Sequence, residues 1–256
     1  MSDNRVVEAA ENVFLVRGSA VNWILLRDGT DLTLVDSGYP GDLNDVEESI
    51  RSIGRRPEDV QAILVTHAHV DHLGAVNPFH TRYGTPAYFD PTEVAHAHRD
   101  YLEQLAPPTL LKNIWRPRVL PWAVHILRNG ATQDVAAPHA QAFPGAGAGA
   151  AGAAAGALDL PGAPVPVPTH GHTSGHTAFH LPAVGAVITG DALVTGHPLS
   201  PTTGPQLLPA MFAHASRAEL LSALTPLEAL DADLLLPGHG PLHHGPIADA
   251  VVTARS

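Results

Sequence analysis

The sequence predicts an α/β fold, because short runs of β-branched and aliphatic residues alternate along the chain with an amphipathic segment and with loops. Apolar runs of about four residues recur, and turn residues such as Asp28-Gly29 separate them. Residues 42–53 carry apolar side chains at helical spacing. At 256 residues the chain can bury one sizeable core, so we expect residues 1–256 to form a single domain.

The first elements are expected to be an antiparallel sheet followed by a helix. Three short β-rich runs come first, at residues 13–16, 23–26 and 32–35. The helix over residues 42–53 follows, and Gly54 is expected to end it. Residues 62–65 then predict a buried strand.

The middle of the chain is expected to insert helical structure between strands. Residues 87–89 predict a short strand, and residues 92–105 predict a helix that Pro107-Pro108 ends. Residues 92–130 form an apolar, proline-broken insertion that could pack in the core or act as a lid or substrate wall. His96 and His98 fall on the predicted helix, and we expect both to be solvated.

Residues 144–157 are expected to be a flexible Gly/Ala-rich loop. Residues 145–157 contain only glycine and alanine, so they have little apolar surface to offset the entropy of ordering them. The interleaved glycines would each cost about 1 kcal/mol in a helix. The flanking residues, 140–143 and 157–160, could pair as a hairpin.

Composition excludes several classes of function. The formal net charge of -11, from 14 basic and 25 acidic residues, argues against nucleic acid as a partner. The absence of cysteine excludes disulfides, thiolate metal ligands and a cysteine nucleophile. No apolar stretch of about 18 residues and no signal-peptide pattern occur, so we expect a cytoplasmic protein without a membrane partner. Oligomeric state stays open, and a homodimer is compatible with the sequence.

Four potential metal ligands fall within six positions: His67, His69, Asp71 and His72. On a helix, residues two apart would point to different faces, but this motif follows a predicted strand and therefore lies on a strand-to-helix loop. There His67 and His69 can converge on one ion while Asp71 and His72 turn toward a second position. Imidazole and carboxylate ligands suit zinc, with iron or manganese as alternatives.

Further ligands follow strand-like runs downstream. His172 lies in a loop of small residues after residues 165–168, and it is predicted as the third ligand. Asp191 directly follows the apolar run 187–190, and its two oxygens could bridge two ions. His239 follows residues 234–238 and would complete the set.

The order of these motifs resembles the metallo-β-lactamase fold superfamily, in particular its glyoxalase II-like and lactonase-like metallohydrolases. The motifs are DSG at 36–38, HAHVDH at 67–72, GHTSGH at 171–176, GD at 190–191 and GHG at 238–240. The resemblance implies an αββα sandwich, in which two mixed sheets are flanked by helices and a dinuclear site lies at one edge. We expect two Zn²⁺ ions there.

The resemblance also implies a role for each site residue. His67, His69 and His172 would hold one metal, Asp71, His72 and His239 the other, and Asp191 would lie between them. Asp36 would orient a ligand histidine from behind. His176 would be a structural partner or a hydrogen-bond donor near the site.

The implied function is metal-dependent hydrolysis. A hydroxide bridging the two metals would attack the carbonyl of a small-molecule ester, thioester or lactone. Asp71 is the predicted catalytic residue, which would position the nucleophile and hand a proton to the leaving group.

Alternatives stay open at this stage. Authentic β-lactamases usually have Cys or Ser where this chain has Asp191, which disfavours β-lactam hydrolysis. Glyoxalase II adds a C-terminal domain that grips glutathione, whereas 17 residues follow His239 here. Acyl-homoserine lactonases have a tyrosine where this chain has Val194. A mononuclear iron persulfide dioxygenase and a non-catalytic metal-binding protein are the other classes.

Overall fold

The computed structural model describes residues 5–145 and 156–256 of the chain. Its architecture is a pair of mixed β-sheets flanked by helices, which confirms the predicted αββα sandwich. Residues 146–155, the greater part of the predicted Gly/Ala-rich loop 144–157, lie outside the described residues. Within the described part of the chain, no helix is long and apolar enough to cross a membrane.

The larger sheet has seven strands in sequence order. They are β1 (Val6–Ala10), β2 (Val13–Arg17), β3 (Asn22–Asp28), β4 (Asp31–Val35), β5 (Val60–Leu64), β6 (Ala87–Phe89) and β7 (Gln141–Ala142). Strands β1 to β4 are antiparallel, which confirms the predicted meander, and β4 to β7 are parallel.

The smaller sheet has five strands, in the order β12-β11-β10-β9-β8. They are β8 (Val165–Pro168), β9 (Thr177–Leu181), β10 (Ala186–Gly190), β11 (Leu234–Pro237) and β12 (His243–His244). Only β10 and β11 pair in parallel. Their carboxyl ends therefore meet at one edge of the sheet, and the loops that follow them carry Asp191 and His239.

The core lies between the two sheets because successive side chains of a strand point to opposite faces. Val13 and Leu15 of β2 pack against Phe179 and Ile188 of the smaller sheet. Phe14 of the same strand packs on the other side, in the cluster that contains the helices of the larger sheet.

The chain has eight α-helices among the described residues. They are α1 (Leu43–Ser52), α2 (Val76–Tyr83), α3 (Val94–Ala97), α4 (Pro107–Asn113), α5 (Val119–Arg128), α6 (Arg217–Ser222), α7 (Thr225–Glu228) and α8 (Ile247–Arg255). α1 agrees with the predicted helix, and Gly54 follows it in the left-handed conformation with φ of 74°. α1 and α2 pack on the larger sheet, and α7 and α8 pack on the smaller one.

Two local predictions were wrong. The predicted helix over residues 92–105 is reduced to the four residues of α3. Arg99 adopts a φ of 68°, which a helix does not allow. The chain then folds back, and the Glu103 N–H donates to His96 Nε2 at 3.1 Å. The predicted hairpin of residues 140–143 with 157–160 does not form, because β7 pairs with β6 of the larger sheet instead.

Candidate metal centre

A buried carboxylate, Asp36, fixes both ends of the histidine-rich loop after β5. Its Oδ1 accepts the Thr66 backbone N–H at 2.8 Å, and its Oδ2 accepts the Thr66 hydroxyl at 2.8 Å. Oδ2 also lies 2.8 Å from His72 Nδ1. Because His72 donates its Nδ1 proton to this carboxylate, its Nε2 is directed to the centre as an acceptor. Asp36 thus contacts His72 from behind, and its role in orienting a metal ligand stays a prediction.

Two histidine nitrogens face each other without a proton between them. The Thr66 hydroxyl gives its hydrogen to Asp36, so His67 Nδ1, 3.0 Å from that oxygen, must donate and its Nε2 is bare. His69 Nε2 donates to the Glu103 carbonyl, so its Nδ1 is bare too. These two nitrogens lie 2.9 Å apart. Lone pairs this close need a cation to bind both of them.

His172 and Asp191 complete this group from the smaller sheet. His172 Nε2 lies 3.1 Å from His69 Nδ1 and 3.6 Å from Asp191 Oδ2. Asp191 Oδ2 is also 3.8 Å from His67 Nε2. We call His67, His69 and His172 the first ligand set.

The second ligand set is Asp71, His72 and His239. His239 Nε2 lies 3.6 Å from Asp71 Oδ2, and His72 Nε2 lies 3.9 Å from the same oxygen. His239 donates its Nδ1 proton to the Ala20 carbonyl at 2.8 Å, which leaves Nε2 free. This set therefore also presents one acceptor atom from each residue.

Asp191 lies between the two sets, as predicted. Its Oδ1 is 3.5 Å from His72 Nε2, and its Oδ2 is 3.3 Å from His239 Nε2. Ligand bonds of 2.0–2.2 Å in a tetrahedral shell place ligand atoms about 3.4 Å apart, close to these separations.

The site also contains buried atoms that require a partner. His72 Nε2 and Asp191 Oδ1 have no hydrogen-bond partner among residues 5–145 and 156–256. Buried polar atoms are normally satisfied, so both atoms fit the role of metal ligands. The potential ligand atoms form two groups, each within 4.8 Å: His67, His69, His172 and Asp191, and Asp71, His72 and His239. This buried His/Asp cluster fits divalent metal ions.

Electrostatics divides the histidines between the two sets. Burial, reinforced by neighbouring imidazoles, holds the pKa values of His67 and His172 well below the usual range, and burial lowers the pKa of His69 to about 4. Burial would also lower the pKa values of His72 and His239. At His72 the charges of Asp36 and Asp191 outweigh burial and raise the pKa, and at His239 the charge of Asp191 does the same. The carboxylates thus create a strong attraction for positive charge.

Two glycines allow the ligand loops to approach each other. A Cβ on Gly238 would lie 2.5 Å from Asp191 Oδ1, and a Cβ on Gly190 would lie 2.8 Å from His176 Nε2. Gly190 also has a φ of 49°, which side-chain-bearing residues rarely adopt. The strand ends therefore need glycine directly before these ligands.

His176 supports the site without being in either ligand group. Its Nε2 accepts the Asp191 backbone N–H at 3.1 Å, and its Nδ1 lies 2.8 Å from the Thr169 hydroxyl. The His176 ring therefore fixes the main chain of Asp191, the residue that lies between the two ligand sets.

Sequence reasoning missed Glu93, which is fully buried beside the centre. Its carboxylate accepts N–H groups from Ala68 and Gly175, and it binds His96 Nδ1 at 2.7 Å. His96 is itself buried, so the expectation that it is solvated was wrong. The sequence signal was weak: a single acidic residue on a predicted surface helix.

A cavity of about 470 Å³ opens onto the ligands Asp71, His172, Asp191 and His239. Much of its wall comes from residues of α4 and α5 and their surroundings, and that residues 92–130 contact a substrate there stays a prediction. The large apolar side chains in it are Val70, Leu105, Leu110, Trp122, Ile126, Leu127, Leu208 and Phe212. No lysine or arginine is among the described residues that line it. That residues 92–130 move as a lid stays a prediction.

Two polar side chains in the wall were not predicted as site residues. Tyr39 is buried in the wall, and burial, with the charge of Asp71, raises the pKa of its phenol well above the usual value. His197 accepts the Leu199 N–H at Nδ1 over 3.1 Å, and burial lowers its pKa to about 3. The neutral His197 ring therefore carries its proton on Nε2.

Comparison with known proteins connects this site to one family. The family model described as the metallo-beta-lactamase superfamily matches residues 16–239. The exodeoxyribonuclease WalJ of Streptococcus pneumoniae is 36% identical over 74 residues, which are 29% of this chain and 27% of that protein. A hydroxyacylglutathione hydrolase of Buchnera aphidicola is 34% identical over 71 residues, 28% of this chain and 26% of that protein.

An uncharacterized protein of Bacillus subtilis, YobT, is 24% identical over 172 residues, 67% of this chain and 61% of that protein. The chain thus spans between 26% and 61% of the length of these relatives.

Solved structures show the same fold. A metallo-beta-lactamase family protein from Thermus thermophilus has a TM-score of 0.62 at 22% identity, over 95% of this chain and 78% of that one. The Rm3 metallo-beta-lactamase has a TM-score of 0.65 at 16% identity, over 99% of this chain and 91% of that one.

Proposed function

The chain belongs to the metallo-beta-lactamase superfamily, and from that premise we propose that it hydrolyses a small, uncharged ester, thioester or lactone whose acyl group is apolar. The observation that carries the proposal is the cavity: it opens onto the metal ligands, its wall is largely apolar, and none of its described lining residues is lysine or arginine. Away from the metal ligands, such a wall favours neutral, hydrophobic groups and has no lysine or arginine to pair with a phosphate or carboxylate.

We propose zinc as the metal and two ions per chain. The first ligand set would hold one ion and the second set the other, with Asp191 between them. Bound metal would supply a nucleophile from water near neutral pH and would polarise the carbonyl that it binds.

Asp71 is the residue that we assign to proton transfer. It lines the cavity, and its Oδ2 lies 3.6 Å from His239 Nε2, so it can contact the reacting atoms. The buried Tyr39 phenol lines the same cavity, and the charge of Asp71 helps to keep it protonated by raising its pKa. Asp71 can therefore orient the attacking water and pass its proton to the leaving oxygen or sulfur.

His197 is positioned to bind the substrate. Its Nε2 carries the proton, and the ring lies in the cavity wall with its centroid 5.3 Å from that of His239. An N–H donor at this position can bind the carbonyl oxygen as negative charge develops on it. It would replace the tyrosine that lactonases have where this chain has Val194.

The cavity weighs against the other hydrolytic activities found among relatives. Exonuclease action on DNA and hydrolysis of glutathione thioesters both require anionic substrates to be held, and the described wall has no lysine or arginine for them. β-Lactams also carry a carboxylate. The nuclease is the second candidate, because WalJ matches part of this chain at 36% identity.

The test is a hydrolysis panel on zinc-loaded protein. The substrates are acyl-homoserine lactones, aryl esters, glutathione thioesters, a chromogenic β-lactam and single-stranded DNA, and Asp71→Ala is the control. We expect ester or lactone hydrolysis that falls by about 10²–10⁴-fold in Asp71→Ala. If wild-type protein and variant are equally inert on the whole panel, the hydrolase proposal is wrong. A metal content near one per chain would instead favour the mononuclear dioxygenase.

Chain length tests the apolar part of the proposal. Each methylene that enters the cavity should raise kcat/KM about fourfold, from about 0.8 kcal/mol of burial. Leu110 lines the cavity and Leu111, its neighbour, points to solvent. Leu110→Trp should therefore lower activity on long acyl chains and spare acetyl esters, whereas Leu111→Trp should change neither. Activity independent of chain length would contradict an acyl cavity.

A further inference from the structure

The apolar face of helix α5 is wider than the part that the protein buries. Val119, Trp122, Ala123 and Ile126 are buried on the side of the cavity and its surroundings. Directly beside this stripe, Leu120, Val124 and Leu127 follow at helical spacing, and Leu120 is 54% and Leu127 50% exposed. The remaining face carries the exposed residues His125 and Arg128, so α5 is amphipathic with part of its apolar face uncovered.

A second group of exposed apolar side chains lies at the end of α4 and directly after it. Leu111 belongs to α4, Ile114 and Trp115 follow the helix, and Leu111 is 65% and Trp115 79% exposed. Together with Leu120, Val124 and Leu127 they form what we call the α4–α5 outer surface. An exposed apolar patch of this kind normally marks an interaction site.

The charge around this surface is opposite to that of the protein. Between Glu103 and Asp134 the chain has four basic residues and no acidic one, although the net charge of the whole chain is -11. The four are exposed, and the ion pairs found among the described residues include none of them. They are Lys112, Arg116, Arg118 and Arg128.

We propose that the α4–α5 outer surface binds the surface of an anionic lipid bilayer. Leucine and tryptophan side chains would enter the boundary between headgroups and acyl chains, and the basic side chains would contact lipid phosphates. Tryptophan is especially suited to this boundary, because its ring is apolar and its N–H is polar. This binding differs from the sequence-based expectation of no membrane partner, and it requires no membrane-spanning helix.

A second copy of the chain fits this surface less well. In a symmetric dimer the same patch would face itself, and the four basic side chains of each copy would approach those of the other. An anionic bilayer instead offers negative charge to all four. It would also leave the more acidic remainder of the chain facing water.

The surface adjoins the cavity. Leu110 of α4 lines the cavity while Leu111 faces outward, and Leu127 is both half-exposed and part of the cavity wall. The cavity therefore opens at the edge of the α4–α5 outer surface. Lipid binding would place this opening beside the bilayer, where apolar molecules dissolve. The binding itself does not depend on the proposed hydrolase activity.

The experiment is co-sedimentation of the full chain with vesicles. Vesicles of phosphatidylcholine alone are compared with vesicles that contain about 30% phosphatidylglycerol, at low and at physiological salt. We expect binding to the anionic vesicles, weaker at the higher salt because exposed charges are screened. Replacing both Arg116 and Arg118 by Gln should lower the partition coefficient about 25-fold, from about fivefold per charge.

Matched controls separate the surface from general effects. Leu111→Glu combined with Trp115→Glu should abolish binding, and both sites are exposed, so the circular dichroism spectrum should stay that of the wild type. Val252→Glu changes an apolar residue of α8 that is 64% exposed, and Arg217→Gln removes an exposed charge of α6. Neither control should affect binding.

Three outcomes would overturn the proposal: no binding, equal binding to neutral and anionic vesicles, or binding unchanged in the Leu111/Trp115 double variant. A fourth outcome comes from light scattering, which measures the oligomeric state. A wild-type dimer that becomes a monomer with Trp115→Glu would assign the surface to a second copy of the chain instead of lipid.

Discussion

Replacement of Glu93 tests how the metal centre is built, because this buried carboxylate joins the two loops that carry the first ligand set. Its Oε1 accepts the Ala68 N–H at 2.8 Å and lies 2.7 Å from His96 Nδ1. Its Oε2 accepts the Gly175 N–H at 2.9 Å and the Thr173 hydroxyl at 3.0 Å. Ala68 stands between two ligands, and Thr173 directly follows the third.

The variant Glu93→Gln keeps the size of the side chain and removes half of its acceptor capacity. One oxygen becomes an NH₂ group, which costs least when it faces Thr173, because a hydroxyl can rotate to accept. The Gly175 N–H cannot adapt, so it is left buried and unsatisfied. The unsatisfied Gly175 N–H should cost about 1–3 kcal/mol, and the loss of the negative charge should weaken the remaining hydrogen bonds by about 1 kcal/mol. We therefore expect Glu93→Gln to lower the free energy of unfolding by about 2–4 kcal/mol.

The measurement is thermal unfolding of the metal-free protein, followed by calorimetric titration with zinc. At about 2–4 °C per kcal/mol for a chain of this size, Tm should fall by about 4–16 °C. The affinity of the first ligand set for zinc should fall as well, because its two loops are no longer held together.

Glu103→Gln is the matched control. Glu103 binds the same loop, through the Ser174 N–H at 2.7 Å and the Ser174 hydroxyl at 2.5 Å, but in an exposed position where water can replace it. Its replacement should cost no more than about 1 kcal/mol. Equal melting temperatures for the two variants would refute the reasoning, since they would mean that the buried donors around Glu93 find other partners.

Three further substitutions test other parts of the site and fold. Gly238→Ala places a Cβ 2.5 Å from Asp191 Oδ1, so metal affinity measured by titration should fall at least about tenfold; an unchanged affinity would contradict the close packing. His197→Ala should lower kcat/KM about 10²–10³-fold with wild-type metal content, and His197→Gln should recover part of the loss. Burial would raise the pKa of Glu47, but the Arg51 hydrogen bond leads the contacts that lower it from 4.5. The charged Glu47 carboxylate therefore stabilises the fold above pH 4.5, and this stabilisation is lost as the pH falls through the lowered pKa. Glu47→Gln should reduce the free energy of unfolding by about 1 kcal/mol at pH 7, and the reduction should become progressively smaller in acid.

The ligands could be predicted because each depends on short-range sequence. An apolar run predicts a strand, and a polar residue directly after it lies at the strand end, as Asp191 does after β10. His67 and His239 follow strands in the same way. All seven predicted ligands therefore lie together, although their binding of metal stays a prediction.

The supporting residues could not be predicted because they act over long sequence separations. Glu93 binds Gly175, 82 positions away, and that contact draws the chain inward where local sequence favoured a surface helix. His96 is buried by the same rearrangement. Nothing within ten residues of Glu93 indicates which loop it will meet.

Each ligand set takes residues from both sheets, and this links metal binding to folding. His67 and His69 follow β5 of the larger sheet, whereas His172 follows β8 of the smaller one. The second set is divided in the same way, with His239 coming from the smaller sheet. The two groups of ligand atoms can therefore form only when the sheets are stacked. Metal bound by either group would connect the two sheets, so its binding energy would contribute directly to their packing.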